Sequence, residues 1–370
     1  MTERLSALLH DEAAALEIPP PTAGSVLARG RTMRRRRRAG VAVAALAALA
    51  VVGSGTAVAV NAVHHDGRAV EPAGPSTGHG AVFSVGSTVF YDGGTHHIAI
   101  DDKAIKSMYF TSAGLLVRHG NNNASDGGGP QRFSLVTPDG TEKPVSVVTE
   151  EVVPGVDPDE PYLAWTTVVD GTVHVMVHDV TTDEDVADVA LPGHFSWGGW
   201  SGPPVALSGD TVYVGTDDAT HTVDWRTGAI GTTDHVPPGY PDIHGGRAVT
   251  STRTHVSVID VATGRTLLDL PRGDAYITLS PDGRFATIDN AERRSFDVYD
   301  VDTGSHVTLD GTSYDYGWTP DGDLFTIKGH HVVTCSTATA ECSTGAETIP
   351  SDGGGTSPED VRFAGRTYES

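Results

Sequence analysis

The chain has little cysteine, little positive charge beyond its first forty residues, and none of the short signatures that name a reaction. Cys335 and Cys342 are the two cysteines among 370 residues. Their spacing is not Cys-x-x-Cys and no third ligand stands near them in sequence, which argues against a zinc or dithiol redox centre. The nearest approach to a nucleophile elbow, Gly199-Trp200-Ser201-Gly202, has the wrong spacing and no hydrolase domain after it. There is no His-Glu-x-x-His, no phosphate-binding loop and no EF-hand loop. The acidic turns at Asp157–Glu160 and Asp183–Asp185 read as solvated loops rather than calcium sites. The residues therefore support neither a catalytic reading nor a cofactor.

Charge is lopsided. Lys and Arg total 25 against 48 Asp and Glu, a net charge of −23. Residues 1–38 hold eight arginines against Glu3, Asp11, Glu12 and Glu17, a balance of +4 that leaves −27 for the rest. So acidic a remainder argues against nucleic acid and anionic lipid as its ligands.

No charge at all falls between Ala39 and Val63, 25 residues dominated by alanine and valine. At ~1.5 Å per residue a helix of that length covers the roughly 30 Å hydrocarbon core of a bilayer. Arg34 to Arg38 precede it without interruption, with Arg29 and Arg31 just upstream. Arginines in that position stay on the cytoplasmic side, so the head is expected inside and the C-terminal bulk outside. The alternative is a cleaved export signal with Val41–Val52 as apolar core and Ala57-Val58-Ala59 as cleavage site. A 38-residue basic region is long for such a signal, and both readings export the C-terminal remainder of the chain. In an oxidising compartment Cys335 and Cys342, on either side of a short hairpin turn, are expected to form a local disulfide.

Past a Pro/Gly/Ser/His-rich tether at 64–80, the chain repeats about every 39 residues. One turn class comes after an alternating strand: Asp224-Trp225-Arg226-Thr227-Gly228, Asp260-Val261-Ala262-Thr263-Gly264 and Asp300-Val301-Asp302-Thr303-Gly304, with a degenerate copy at Asp179–Asp183. The aspartate bonds the next few backbone groups and the glycine supplies positive φ. A second class, Ser280-Pro281-Asp282-Gly283 and Thr319-Pro320-Asp321-Gly322, precedes short β-type runs such as Leu324-Phe325-Thr326-Ile327. Four strands and three turns per unit is the pattern of a propeller blade. The predicted fold is all-β: a propeller of four-stranded blades over 81–349, preceded by a short helical head (1–38) and one transmembrane helix (39–63). Seven units is the count, with six and eight open. The unit at 150–191 is the least regular, because Glu151–Pro161 is a Pro/Asp-rich loop, and Gly120–Gly129 interrupts the second. Either Val82-Phe83-Ser84 or Val361-Arg362-Phe363, in the tail 350–370, is available to close the ring.

The Ser-Pro-Asp-Gly turns and their strands resemble bacterial TolB-type and WD-repeat propellers, without the Gly-His and Trp-Asp dipeptides typical of the latter. The resemblance implies a fold, not a function. In the head, Leu5, Leu8 and Leu9 share one side at helical spacing before Pro19-Pro20-Pro21 stops the helix. With Val26-Leu27-Ala28-Arg29-Gly30-Arg31 and the arginine run, it resembles heads of actinobacterial single-pass proteins encoded beside extracytoplasmic-function sigma factors. That implies a cytoplasmic protein partner touching Leu5, Leu8 and Leu9. The head has no cysteine, so the His/Cys zinc signature of anti-sigma heads is absent.

Histidines recur where the third strand of a unit is expected to begin: His96-His97, His174, His221, His255 and His330-His331. Adjacent copies would lie on the order of 14 Å apart, too far to share a metal at ligand distances of about 2 Å. The doublets His96/His97 and His330/His331 are the exception, since the first and last blades become neighbours on closure. Trp197, Trp200, Tyr240, Tyr314, Tyr316 and Trp318 fall in loops and are the candidate binding surface, since exposed aromatics carry binding energy. The function these features predict is a non-enzymatic binding module of the cell envelope, holding an envelope protein or small ligand. The alternatives are a transmembrane regulator acting on a partner such as a sigma factor, and a propeller lyase or glycosidase with acids at its axis.

Overall fold

The computed structural model describes residues 80–120, 129–196, 200–271, 277–290, 293–347 and 361–366. The head, the predicted transmembrane helix and most of the tether lie outside the described residues, as do Leu5, Leu8, Leu9 and Trp197. Among the described residues no helix is long and apolar enough to cross a membrane.

The described chain forms seven antiparallel four-stranded sheets. Blade 2 runs Ala104–Thr111, Gly114–Gly120, Gln131–Val136 and Glu142–Thr149. Blade 3 runs Gly155–Val156, Tyr162–Val169, Thr172–Asp179 and Glu184–Leu191. Blade 4 is Val205–Ser208, Thr211–Gly215, Thr220–Asp224 and Ala229–Thr233, and blade 5 is Ile243–His244, Arg247–Ser251, Val256–Asp260 and Thr266–Leu270. Blade 6 is Ile277–Leu279, Phe285–Asn290, Ser295–Asp300 and His306–Asp310, and blade 7 is Gly317–Trp318, Leu324–Lys328, His331–Cys335 and Cys342–Glu347. In each the first strand is the innermost. Blade 1 is composite: Val361–Phe363 pairs antiparallel with Phe83–Val85, and Thr88–Tyr91 and His96–Ala99 complete the sheet. The C-terminal strand therefore supplies the inner edge and the N-terminal strands the outer three. The two segments proposed from sequence as alternative closing strands pair with each other.

Closure in this frame corrects the reading of the histidine doublets. His96 and His97 begin the fourth, outermost strand of blade 1, whereas His331 begins the third strand of blade 7. The sequence count started one strand late because the innermost strand of blade 1 lies at the other end of the chain. The two-residue inner strand of blade 3 falls within the irregular Glu151–Pro161 segment.

Seven buried apolar clusters fill the seven junctions between neighbouring blades. Ile105, Met108, Leu115 and Val117 of blade 2 pack with Val82 and Val89 of blade 1, while Leu116, Phe133 and Leu135 face Leu163, Trp165 and Met176 of blade 3. Leu115 and Val117 point one way and Leu116 the other, the period of two of a strand buried on both faces. The same logic holds between blades 3 and 4, 4 and 5, 5 and 6, and 6 and 7. The seventh cluster, Phe83 and Phe90 with Phe325 and Val332, closes blade 7 against blade 1. Phe83 stacks on Phe90 at 5.0 Å, and Phe363 meets Phe325 edge-on at 5.4 Å.

The repeated turns owe their shape to the predicted chemistry. Asp260 Oδ1 accepts from Thr263 N at 2.9 Å and Thr263 Oγ1 at 2.7 Å, and Asp300 Oδ1 accepts from Thr303 N at 2.8 Å. Gly264 and Gly304 come next at φ 69° and 70°. The degenerate copy ending at Asp183 and the equivalent turn of the cysteine hairpin, Ser336 to Ala340, carry a local strain: Asp183 and Ala340 take φ 58° and 60° where the others have glycine. Across the last hairpin Cys335 and Cys342 are direct cross-strand partners joined by a disulfide, their Cα atoms 4.0 Å apart.

Candidate ligand cavity on the propeller axis

Two connected lobes lie along the axis. The first, about 590 Å³ of space open to solvent, is walled by the inner strands of blades 1 to 6 or their flanks: Tyr109, Phe110, Pro154, Val156, Pro158, Val205, Ala206, Pro241, Ile243 and Pro281. The second, about 1000 Å³, is walled by blades 5, 6, 7 and 1 and is more polar, with Thr278, Thr287, Ser313, Tyr314, Tyr316 and Trp318. Tyr240, Asp242, His244, Gly365 and Arg366 line both. Together the lobes touch every blade, which identifies the space as the channel that a closed ring leaves at its centre.

Asp242 and Arg366 carry the fixed charges of this shared wall. Asp242 immediately precedes the inner strand of blade 5. Its Oδ1 lies 2.9 Å from His244 Nε2, and its side chain keeps 41% of its surface although protein surrounds it. Enclosure in the channel pushes the carboxyl up, but the hydrogen bond and charge of His244 outweigh this, and the net shift is downward. Asp242 is therefore an ionised carboxylate at neutral pH. Arg366 comes just after the closing strand. Its Nη1 donates to the carbonyls of Tyr314 and Tyr316, and its guanidinium lies over the Tyr314 ring, 4.8 Å from the centroid. Gly365 is needed there: at φ 71° an added Cβ would sit 2.8 Å from Pro281 and 3.0 Å from Phe110.

Of the aromatic residues singled out in the sequence, Tyr240, Tyr314, Tyr316 and Trp318 line this one cavity. Trp200 reaches it through Tyr240, ring centroids 6.1 Å apart. Tyr314 is 60% exposed, whereas Tyr316 and Trp318 are 4% and 3% exposed and belong to the junction of blades 6 and 7. Burial pushes the Tyr316 phenol up, helped by Asp310 and Asp315, and its hydroxyl donates to the Asp310 carbonyl at 2.9 Å. Asp242, His244 and Arg366 were missed in the sequence. A lone Asp-x-His and an arginine in the tail have no local pattern to mark them.

The candidate metal ligands have other occupations. His96 stacks on Tyr91 and lies 3.3 Å from Asp92, His97 tilts over Phe90, and His331 Nδ1 is 3.2 Å from the Gly345 carbonyl oxygen. His330 is exposed in the turn before. Among the described residues no three His, Cys, Asp or Glu side chains gather as a metal site.

A Ser-His-Asp chain does exist, off the axis. Asp102 Oδ2 is 2.8 Å from His119 Nδ1, and His119 Nε2 is 3.0 Å from Ser134 Oγ. Its geometry invites a catalytic reading that its setting excludes. Ser134 is 2% exposed and donates to Glu142 Oε1 at 2.8 Å, so its oxygen cannot reach a substrate. Asp102 also accepts from Arg132, at 2.5 Å and 3.0 Å, and from Lys103 N. Burial raises its carboxyl, but these bonds from His119, Arg132 and Lys103 prevail and lower it. The group pins the connection between blades 1 and 2 to the face of blade 2.

No protein-family model matches the chain, and no curated protein matches it. Solved structures with a similar ring include apo AztD from Citrobacter koseri (12% identity, 78% of this chain and 98% of that chain, TM-score 0.45). TolB from Acinetobacter baumannii is another (15% identity, 79% and 67%, TM-score 0.41). A third is the β-propeller domain of Cps50 (Swd1) from Myceliophteria thermophila (13% identity, 67% and 87%, TM-score 0.40). At such identities and TM-scores these likenesses carry no argument of their own, and the propeller rests on the strand pairing of the chain itself.

Proposed function

We propose that the chain is a single-pass membrane protein with its N-terminus in the cytoplasm, whose propeller outside the membrane binds a ligand in the axial cavity and catalyses nothing. The observation that carries the binding half is the convergence of Tyr240, Tyr314, Asp242, His244 and Arg366 on one solvent-open space. Apolar walls with a few placed polar groups are the usual make-up of a ligand site. Asp242 is the only carboxylate among the described residues that line either lobe. The paired acids of a glycosidase are not brought together by these residues, which favours binding over hydrolysis. The topological half rests on the uncharged 39–63 segment behind five consecutive arginines.

The test is cross-linking in living cells with tagged full-length protein, the same protein lacking residues 2–28, and a Tyr240→Ala/Tyr314→Ala double variant. Capture of the same envelope components by the full-length and truncated forms, reduced in the double variant, is the expected result. A cytosolic partner lost on truncation, above all a sigma factor, would instead make the protein a signalling device. Capture unaffected by the double variant would remove the axial cavity as the binding site.

A further inference from the structure

The outer edges of the described sheets are not alike. A free edge strand offers unpaired N–H and C=O groups to any other strand, and charges, proline and bulges are the usual guards against that. The outer strand of blade 2 has Glu142, Lys143 and Pro144, with a register shift between Arg132 and Phe133. That of blade 3 has Glu184, Asp185 and Asp188, with a shift between Val177 and His178. Blade 5 has Asp269 and a shift, blade 6 has His306 and Asp310, blade 7 has a shift, and blade 1 has His96 and His97. The outer strand of blade 4, Ala229–Thr233, has no ionisable side chain, no proline and an unbroken register with Thr220–Asp224. Ala229 to Thr232 are exposed, Ile230 by 42%. The backbone there has a fixed polarity. Trp225 N donates to the Asp210 carbonyl at 3.1 Å, away from the outer strand, and Asp224 O accepts from Gly228 N at 2.7 Å, toward it. Orientation alternates along an antiparallel strand, so Val223 and His221 also turn away from the outer strand. Their partners are Ile230 and Thr232, whose N–H and C=O groups therefore point out of the sheet edge.

We propose that Ala229–Thr233 pairs antiparallel with the same strand of a second copy of this chain, about a twofold axis at Gly231. In that register Ile230 of one copy stands opposite Thr232 of the other, and the two residues exchange both of their outward backbone hydrogen bonds. Two β-branched side chains then meet across the seam. Charge selects a second copy at this edge. Beyond residue 38 the chain carries −27, the whole-chain −23 less the +4 of the head, so two copies repel each other. Self-pairing of the blade 3 edge would add to that repulsion by bringing Glu184, Asp185 and Asp188 against their own copies, and like charges opposite one another destabilise a sheet. The blade 4 edge joins two acidic molecules with no charge in the seam. A contact of five residues a side is small, so the association is weak and reversible. The outer strand lies three strand spacings, about 14 Å, from the inner strand of its blade, so the axial cavity stays open in the pair.

Cysteine cross-linking tests the register directly. Both native cysteines are held in the Cys335–Cys342 disulfide, so introduced thiols are the only free ones. On the axis Gly231 faces Gly231 of the second copy as a non-hydrogen-bonded pair, with Cα atoms about 4.5 Å apart and within reach of a disulfide. Purified full-length Gly231→Cys in detergent is oxidised with copper-phenanthroline and read as dimer on a non-reducing gel. The added Cβ lies 3.0 Å from Thr222 Oγ1, so Ala229→Cys/Thr233→Cys, whose positions also meet across the axis, is the second variant. Thr308→Cys, at the centre of the blade 6 edge, measures random collision. Because paired strands hold the thiols together, dimer yield is expected about tenfold above that of Thr308→Cys. It is expected to rise with salt, which screens the repulsion between acidic copies. Adding Ile230→Pro is expected to return it to the collision level, since proline removes an outward N–H that the fold itself does not use. Thermal melts of each variant separate lost pairing from lost fold. A yield no greater than that of Thr308→Cys in both folded cysteine variants, a yield unchanged by Ile230→Pro, or a yield that falls with salt would each overturn the proposal.

Discussion

Phe363→Ala tests whether the ring is closed by the C-terminal strand. Phe363 sits opposite Phe83 in the pairing of Val361–Phe363 with Phe83–Val85, and its ring meets Phe325 of blade 7 edge-on. It therefore joins three segments: the first and last described strands and the last blade. A fully buried Phe→Ala change costs roughly 3–5 kcal/mol. Phe363 is only partly buried, so about half of that is expected, to which loss of the edge-on ring contact adds roughly 1 kcal/mol. The sum is on the order of 3 kcal/mol, a large fraction of the roughly 5–15 kcal/mol typical of a folded domain. Urea unfolding monitored by tryptophan fluorescence should show a lower midpoint with an unchanged slope. Phe83, now facing a cavity at the seam, should make blades 7 and 1 the first to exchange their amide hydrogens. A midpoint shift corresponding to less than about 0.5 kcal/mol would refute the closure, because residues that merely lie on the surface change stability by no more than that.

Three other outcomes concern single residues. His221 is 8% exposed and neither ring nitrogen has a hydrogen-bond partner among the described residues, so His221→Leu should stabilise by about 1 kcal/mol, read as a raised melting temperature; a drop would show that the imidazole is satisfied. Ala340, at φ 60° in the last hairpin, should gain roughly 0.5–1 kcal/mol on replacement by glycine, checked by the same melts. Asp102 has a folded-state carboxyl lowered from 3.8, so its contribution is present above about pH 3.8 and is lost as pH falls through the folded value. Asp102→Asn should then cost about 3 kcal/mol at pH 7 and progressively less below about pH 4, and a pH-independent difference would contradict the charge pairing with Arg132 and His119.

Much of the architecture is local and so could be read from the chain. The Asp-x-x-Thr-Gly and Ser-Pro-Asp-Gly turns satisfy themselves within four or five residues, as Asp260 with Thr263 and Ser280 with Gly283 demonstrate. Strand alternation of the Leu115–Val117 kind arises from the two-residue period alone. Repetition of such units determined that the fold is a propeller, and the aromatic loops drew attention to Tyr240 and Tyr314. The cysteine pair was equally legible because its partners are seven residues apart.

What the sequence by itself determined is thus the blade, its turns and its repetition, since each rests on contacts within a few residues. Only the tertiary structure decided how the ring closes, because the strand opposite Phe83 comes from residue 363, 280 positions away, and no local propensity selects it. Only the ring created the axial space, and with it the meeting of Asp242, His244 and Arg366. The same holds for Asp102, His119 and Ser134, whose alignment invites a catalytic reading until burial shows it to be a fastening between blades. Charges and hydroxyls acquire a role from what encloses them, and enclosure is a property of the folded chain.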